Sequence, residues 1–228
     1  MTMRAYFTAL ALAAAMSGTA QANVLVESTF DTGNDGWRIG EFFSNSGDAT
    51  PTFVALGGNP GGFIRTTDVT AVTAFQAPGS FLGDLSAAYG GMLQVDQRVA
   101  SHDNANYPLV LLGDGTLRLQ FRTTHPAAGA AWTHYDIPLL AAAGWEVSDG
   151  GDNANNKPDA TEAQLQQVLA NLSLFNLRGD WHTGSDQSDL DNVRILAIPE
   201  PGSYALLLAG LGLLGFVARR RKKDLATA

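Results

Sequence analysis

The chain has no cysteine among its 228 residues. That absence excludes disulfides, thiolate metal sites and thiol nucleophiles together. Positive charge is also scarce, with 14 Lys and Arg against 22 Asp and Glu. Long apolar runs are missing too: the longest, Tyr204 to Ala218, has fifteen residues, short of the roughly 20 that a spanning helix uses. Catalytic signatures are equally thin. No nucleophile-elbow motif surrounds a serine, and His102, His125, His134 and His182 form neither an HExxH pattern nor another compact metal spacing. A non-enzymatic protein is the expectation, with a two-carboxylate polysaccharide hydrolase as an alternative that only geometry can test.

What is present is concentrated at the ends. Pro199-Glu200-Pro201 precedes the apolar run from Tyr204 to Ala218, and Arg219-Arg220-Arg221-Lys222-Lys223 follows it. At about 1.5 Å per residue the run reaches about 22 Å, less than the roughly 30 Å hydrocarbon core, so a short, temporary membrane span is expected. The five cations resist translocation and stay on the cytoplasmic side. A tripeptide, a Leu/Gly-rich single transmembrane helix and an Arg-rich end, in that order, resemble the PEP-CTERM sorting signal of Gram-negative bacteria. The resemblance implies processing near Pro199, Glu200 and Pro201 by a membrane protease of the exosortase type. An ordinary C-terminal anchor is the alternative. At the other end, Arg4, the apolar stretch Ala5 to Ala15 and Ala20-Gln21-Ala22 read as a signal peptide over residues 1–22. The secretory translocon is therefore an expected partner. The implied route passes through the inner membrane to the cell surface or extracellular matrix.

Between the two signals lie residues 23–198, of a size suited to one domain, with 199–223 as the sorting signal and 224–228 as a tail. This segment carries twenty Asp and Glu against eight Lys and Arg, a formal charge of −12. Such a field disfavours nucleic acid and anionic lipid and favours divalent cations. Short extended runs alternate with turn clusters. Val24 to Phe30 precedes Asp31-Thr32-Gly33-Asn34-Asp35-Gly36, and Phe53 to Leu56 and Phe63 to Thr66 flank the glycine loop 57–62. Met92 to Val99 sets Leu93, Val95, Gln97 and Val99 on one face against Gln94, Asp96 and Arg98 on the other, the period of a half-buried strand. Leu109 to Leu112, Gly113-Asp114-Gly115 and Leu117 to Phe121 read as a hairpin. With Trp132 to Ile137 and Val193 to Ala197, about eight strands predict an all-β antiparallel sandwich. One short helix is expected at an end of it, because Leu165, Val168, Leu169 and Leu172 make one apolar stripe behind a Thr161/Gln164 capping box.

Two stretches carry a second resemblance. Phe75 to Asp84 with Tyr89-Gly90-Gly91-Met92-Leu93, and Leu165 to Leu172 with Leu177-Arg178-Gly179-Asp180-Trp181 and Leu190-Asp191-Asn192-Val193-Arg194, are similar to the laminin B domain, also called laminin domain IV. The resemblance implies a jelly-roll β-sandwich, galactose-binding-like in fold, and names no ligand. Jelly rolls of this kind imply a structural calcium ion where the first and last strands meet, and Asp31, Asp68 and Asp191 are the expected metal ligands. The alternative is that Asp31 and Asp191 cap turns through backbone amides. Exposed aromatic faces are the other candidate site, since sugar rings stack on them; Trp145 and Trp181, flanking loops, are the expected ligand-binding pair, while Trp37 is expected in the core. The chain thus reads as an exported, non-catalytic binding or adhesion module for exopolysaccharide, with a ligand-free structural matrix protein as the alternative.

Overall fold

The computed structural model describes residues 23–152, 157–198, 210–212 and 215. Asn23–Ile198 forms one compact unit. The sorting residues Pro199, Glu200, Pro201, Tyr204, Ala218, Arg219, Arg220 and Arg221, and the signal peptide 1–22, lie outside the described residues; positions 210–212 and 215 are helical. Among the described residues no helix is long and apolar enough to cross a membrane.

The expected sandwich is present as two six-stranded antiparallel sheets. One sheet runs β3 (Thr52–Val54), β4 (Phe63–Thr67), β12 (Gln187–Ala197), β6 (Met92–Val99) and β9 (Thr133–Pro138), with β1 (Asn23–Ser28) also paired to β12. The other runs β10 (Trp145–Val147), β8 (Arg118–Arg122), β7 (Pro108–Gly113), β11 (Leu174–Arg178), β5 (Thr73–Gln76) and β2 (Arg38–Glu41). Long β12 is the organising strand. Its first half pairs β4 from Gln187↔Thr67 to Leu190↔Ile64, and its second half pairs β1 from Val193↔Ser28 to Ala197↔Asn23. The change of partner falls at Asp191 and Asn192, where the β6 ladder is interrupted and Asn192 adopts φ +48°, a left-handed conformation that Asn tolerates better than most residues.

Four of the strands, β2, β5, β10 and β11, were not visible as period-2 patterns. For β5 and β11 every residue is buried, because both faces of the second sheet are covered. Its inner face joins the main core. Its outer face holds Ala74, Leu111 and Leu174 under Phe42, Phe43 and Val72. The segment after β2 is tied across that face: Gln76 Nε2 donates to the Ser44 carbonyl at 2.8 Å and Asn176 Nδ2 to the Phe42 carbonyl at 2.7 Å. Alternation disappears when polar outward positions are roofed over.

Trp37 anchors the inner core with edge-on contacts to Phe30, Phe81 and Phe175 at 5.4–6.1 Å, and its indole N–H donates to Ser28 Oγ at 3.0 Å. The helix α1 (Glu162–Ala170) starts at a complete Thr161/Gln164 capping box and buries Leu165, Val168 and Leu169. The β7–β8 hairpin closes on Asp114, whose Oδ1 accepts from the Thr116 and Leu117 N–H groups at 2.8 and 2.7 Å. Burial would raise the Asp114 pKa, but these donors hold it well below the ordinary carboxylate value.

Candidate functional site

The expected calcium ligands do not converge. Asp68 follows the end of β4 beside Asp186, while Asp191 lies five residues further along β12. At about 3.3 Å per residue that is about 16 Å. The Asp31, Asp68 and Asp191 trio is therefore not assembled; the first and last strands do run side by side, and the charged neighbours of Asp191 are Asp96, from β6, and Asp31, after β1. Burial pushes the Asp191 pKa up to about 6, with Asp96 and Asp31 adding like-charge repulsion.

That end is closed by nitrogen donors. The 57–62 loop lies against Asp191: a Cβ on Gly58 would come 2.8 Å from Asp191 Oδ2, and one on Gly61, at φ +89°, 2.2 Å from Asp31 Oδ1, so only glycine lets the loop approach. Asn59 N donates to Asp191 Oδ2, Asn192 N to Asp191 Oδ1 at 2.8 Å, and the Asn59 and Asn192 side-chain amides to Asp96 Oδ2 at 3.1 and 2.7 Å. The His134 ring bonds the other Asp96 oxygen, and Asp96 raises the His134 pKa. Calcium takes six to eight oxygens. Here N–H groups occupy those positions, and among the described residues no three His, Asp or Glu side chains are grouped to hold a metal. The residues present do not fit the ion in this arrangement.

The expected aromatic pair is also corrected. Trp145 is 0 % and Trp181 1 % exposed. The Trp145 indole packs on Phe121 and donates to the Pro138 carbonyl at 2.9 Å; the Trp181 backbone N–H donates to Asp186 Oδ2 at 2.9 Å. Neither ring offers a face to a ligand, because each fills core volume where its loop rejoins the sandwich.

The other aspartate group borders a cleft of about 390 Å³. Its walls include Asp68, Thr70, Tyr107, Arg178, Asp180 and His182. Arg178, on the outward face of β11, is only 2 % exposed. Its guanidinium forms a two-point fork with Asp152 at 2.6 and 2.8 Å, donates from Nε to the Asp180 carbonyl, and lies 4.1 Å from the Tyr107 ring centre. Asp180 behaves differently. Burial raises its pKa to about 6; Arg178 opposes that, and Asp68 and Asp186 add to it. Asp186 is itself raised by burial, and its backbone N–H donates to Asp68 Oδ2 at 2.8 Å. Asp68 Oδ1 and His182 Nδ1 are shielded from solvent without a hydrogen-bond partner. Buried polar atoms in native proteins are normally satisfied, so this end is chemically incomplete where the Asp191 end is complete.

Arg178, Asp152 and Asp180 were not among the site residues expected from the sequence. Arg178-Gly179-Asp180-Trp181 was visible as a string, and a cation preceding Gly-Asp at a strand end was the available signal. Asp152 comes from the 148–159 loop, 26 residues from Arg178 in the chain, and had no local signal.

Two antiparallel sheets and a polar cleft beside one strand end define the class, a β-sandwich module. Residues 74–203 match the family model Laminin B (Domain IV), and the chain belongs to that family. Residues 197–222 match the PEP-CTERM protein-sorting motif. Among solved structures, the L4b domain of human laminin alpha-2 is similar at 13% identity and TM-score 0.60, over 77% of this chain and 98% of that one; at that identity the likeness shows the fold. The family 11 carbohydrate-binding module of Clostridium thermocellum, in complex with a beta-1,3-1,4-mixed-linked tetrasaccharide, aligns at 14% identity and TM-score 0.44 over 76% and 97% of the two chains. Comparison with curated protein sequences finds no match.

Proposed function

We propose that the protein is an exported, non-catalytic binding module, delivered through the secretory translocon, processed by an exosortase-type protease and left at the cell surface or in the extracellular matrix of a Gram-negative bacterium. There its sandwich adheres to exopolysaccharide through the Asp68–Arg178–Asp180 cleft. The observation that carries this reading is the join at residue 197, where the PEP-CTERM match begins on the last residue of β12. A sorting motif attached directly to a rigid sandwich makes the sandwich the delivered cargo. The cleft supports the ligand class: its volume lies in the roughly 300–1,000 Å³ range of small-molecule sites, and carboxylates, hydroxyls and a tyrosine ring suit a polyhydroxylated ligand better than an apolar one.

Two measurements test it. Intact mass of the mature protein is expected to give a start at Asn23 and an end near Pro199-Glu200-Pro201; a full-length chain recovered from the cytosol would refute export. A glycan array with the Asn23–Ile198 unit is expected to give binding without turnover. Cleavage of a polysaccharide would establish a hydrolase instead, and an empty array would leave a structural matrix protein.

A further inference from the structure

The charge of the cleft is unbalanced in a way that selects among sugars. The Asp152 carboxylate is matched by the Arg178 fork, and all three guanidinium nitrogens are engaged. Asp68 and Asp180, backed by Asp186, form the excess. Burial is the main cause of the raised pKa of Asp180, with like-charge repulsion from Asp68 and Asp186 adding to it, and Asp68 Oδ1, shielded from solvent, lacks a donor. Among the described residues no Lys and no second Arg lines the cleft. A neutral sugar would leave that excess uncompensated. A uronic acid would add a further like charge, which is destabilising in a partly desolvated site. An ammonium group would supply both missing elements, a positive charge and several N–H donors. The Thr70 and Thr183 hydroxyls, already donating to the Gly40 carbonyl and Asp103, keep lone pairs free to accept from ligand hydroxyls.

From the cavity, the unpartnered Asp68 oxygen and the excess carboxylates, we infer that the cleft recognises a sugar with a free amine, such as the deacetylated hexosamine unit of an amino-polysaccharide. The inference rests on the exopolysaccharide reading above and narrows it to one ligand chemistry. The ammonium sits between Asp68 and Asp180, and the ring hydroxyls face Thr70 and Thr183.

The test is calorimetry on the Asn23–Ile198 unit, which has its own core, with glucosamine oligomers, N-acetylglucosamine oligomers of equal length, neutral glucan oligomers and a linear diamine. Free-amine oligomers are expected to bind at least tenfold more tightly than the other three, and to lose most of that advantage in about 1 M salt, where the Debye length falls to about 3 Å. Asp68→Asn and Asp180→Asn, each checked for an unchanged fold by melting, are expected to abolish the preference, while Asp48→Asn, an exposed position outside the cleft, leaves it intact. Equal affinity for acetylated or neutral oligomers would overturn the amine assignment and leave the polysaccharide reading standing. Equal affinity for the diamine would overturn the sugar assignment. Binding to none of the four would overturn the amine inference, while the adhesion reading falls only if the glycan array is empty as well.

Discussion

The two aspartate groups beside β12 have nearly the same composition and opposite physical states. Around Asp191 and Asp96, N–H donors from Asn59, Asn192 and His134 take up the carboxylate oxygens. Around Asp68 and Asp180, one solvent-shielded Asp68 oxygen has no donor, and both residues line a cleft. Carboxylate count therefore does not identify a ligand site; the supply of local donors does. The saturated end ties the 57–62 loop, β6, β9 and β12 together, and the carboxylates of the other end line a cleft.

The sharpest way to break this contrast is at Arg178. Arg178→Ala would leave Asp152 unpaired and strip the cation from the Tyr107 face; because Asp152 is partly exposed, a loss of about 3 kcal/mol is expected from the charged hydrogen bonds removed. Chemical denaturation measures it, and a loss below about 1 kcal/mol would mean that the fork does not hold the cleft wall. Next comes a matched pair. Asp191→Asn turns an amide donor toward a backbone N–H that needs an acceptor, at about 1–3 kcal/mol. Asp68→Asn keeps one acceptor for Asp186 N and is expected to stay within about 0.5 kcal/mol. Similar losses at the two positions would erase the distinction between the ends.

A smaller effect is expected from pH. Asp180 and Asp191 have folded pKa values raised to about 6, above the roughly 3.9 of an unfolded aspartate. The folded state therefore binds more protons between those values, so their contribution to stability is full below about pH 4 and is lost as pH rises through about 6. His134, raised by Asp96, acts in the same direction at higher pH, its contribution being lost as pH rises through its folded value. Asp180→Asn is expected to flatten the decline of the melting temperature between pH 4 and 6, with the wild-type slope as reference. The smallest expected effect is that of a chelator. A melting midpoint unchanged by EDTA follows from the N–H saturation around Asp191, and a drop of several degrees would show that a cation had displaced those donors.

Much of the fold was legible locally. Thr161 and Gln164 announce the start of α1 at a spacing of three residues, and both capping bonds form. The alternation of β6 placed Gln97 among apolar neighbours, and Gln97 is indeed fully buried, donating to the Arg178 carbonyl. The hairpin around Asp114 needed only its own turn residues. Strands β5 and β11 were harder, because a roof supplied by residues 42–44 removed the polar side of their pattern. The candidate site was mostly illegible: Asp152 meets Arg178, and Asp68 meets Asp186, only after distant segments pair.

Sequence alone determined the class of the molecule, since the sorting motif, the acidic domain without cysteine and the turn-punctuated strands are carried by contiguous residues. Tertiary structure decided which carboxylates are spent and which are left over. Asn59 reaches Asp191 across 132 residues, and Asp68 reaches Asp186 across 118. Whether a buried carboxylate finds a donor depends on the register of β12 against its neighbours, and no local pattern encodes that register.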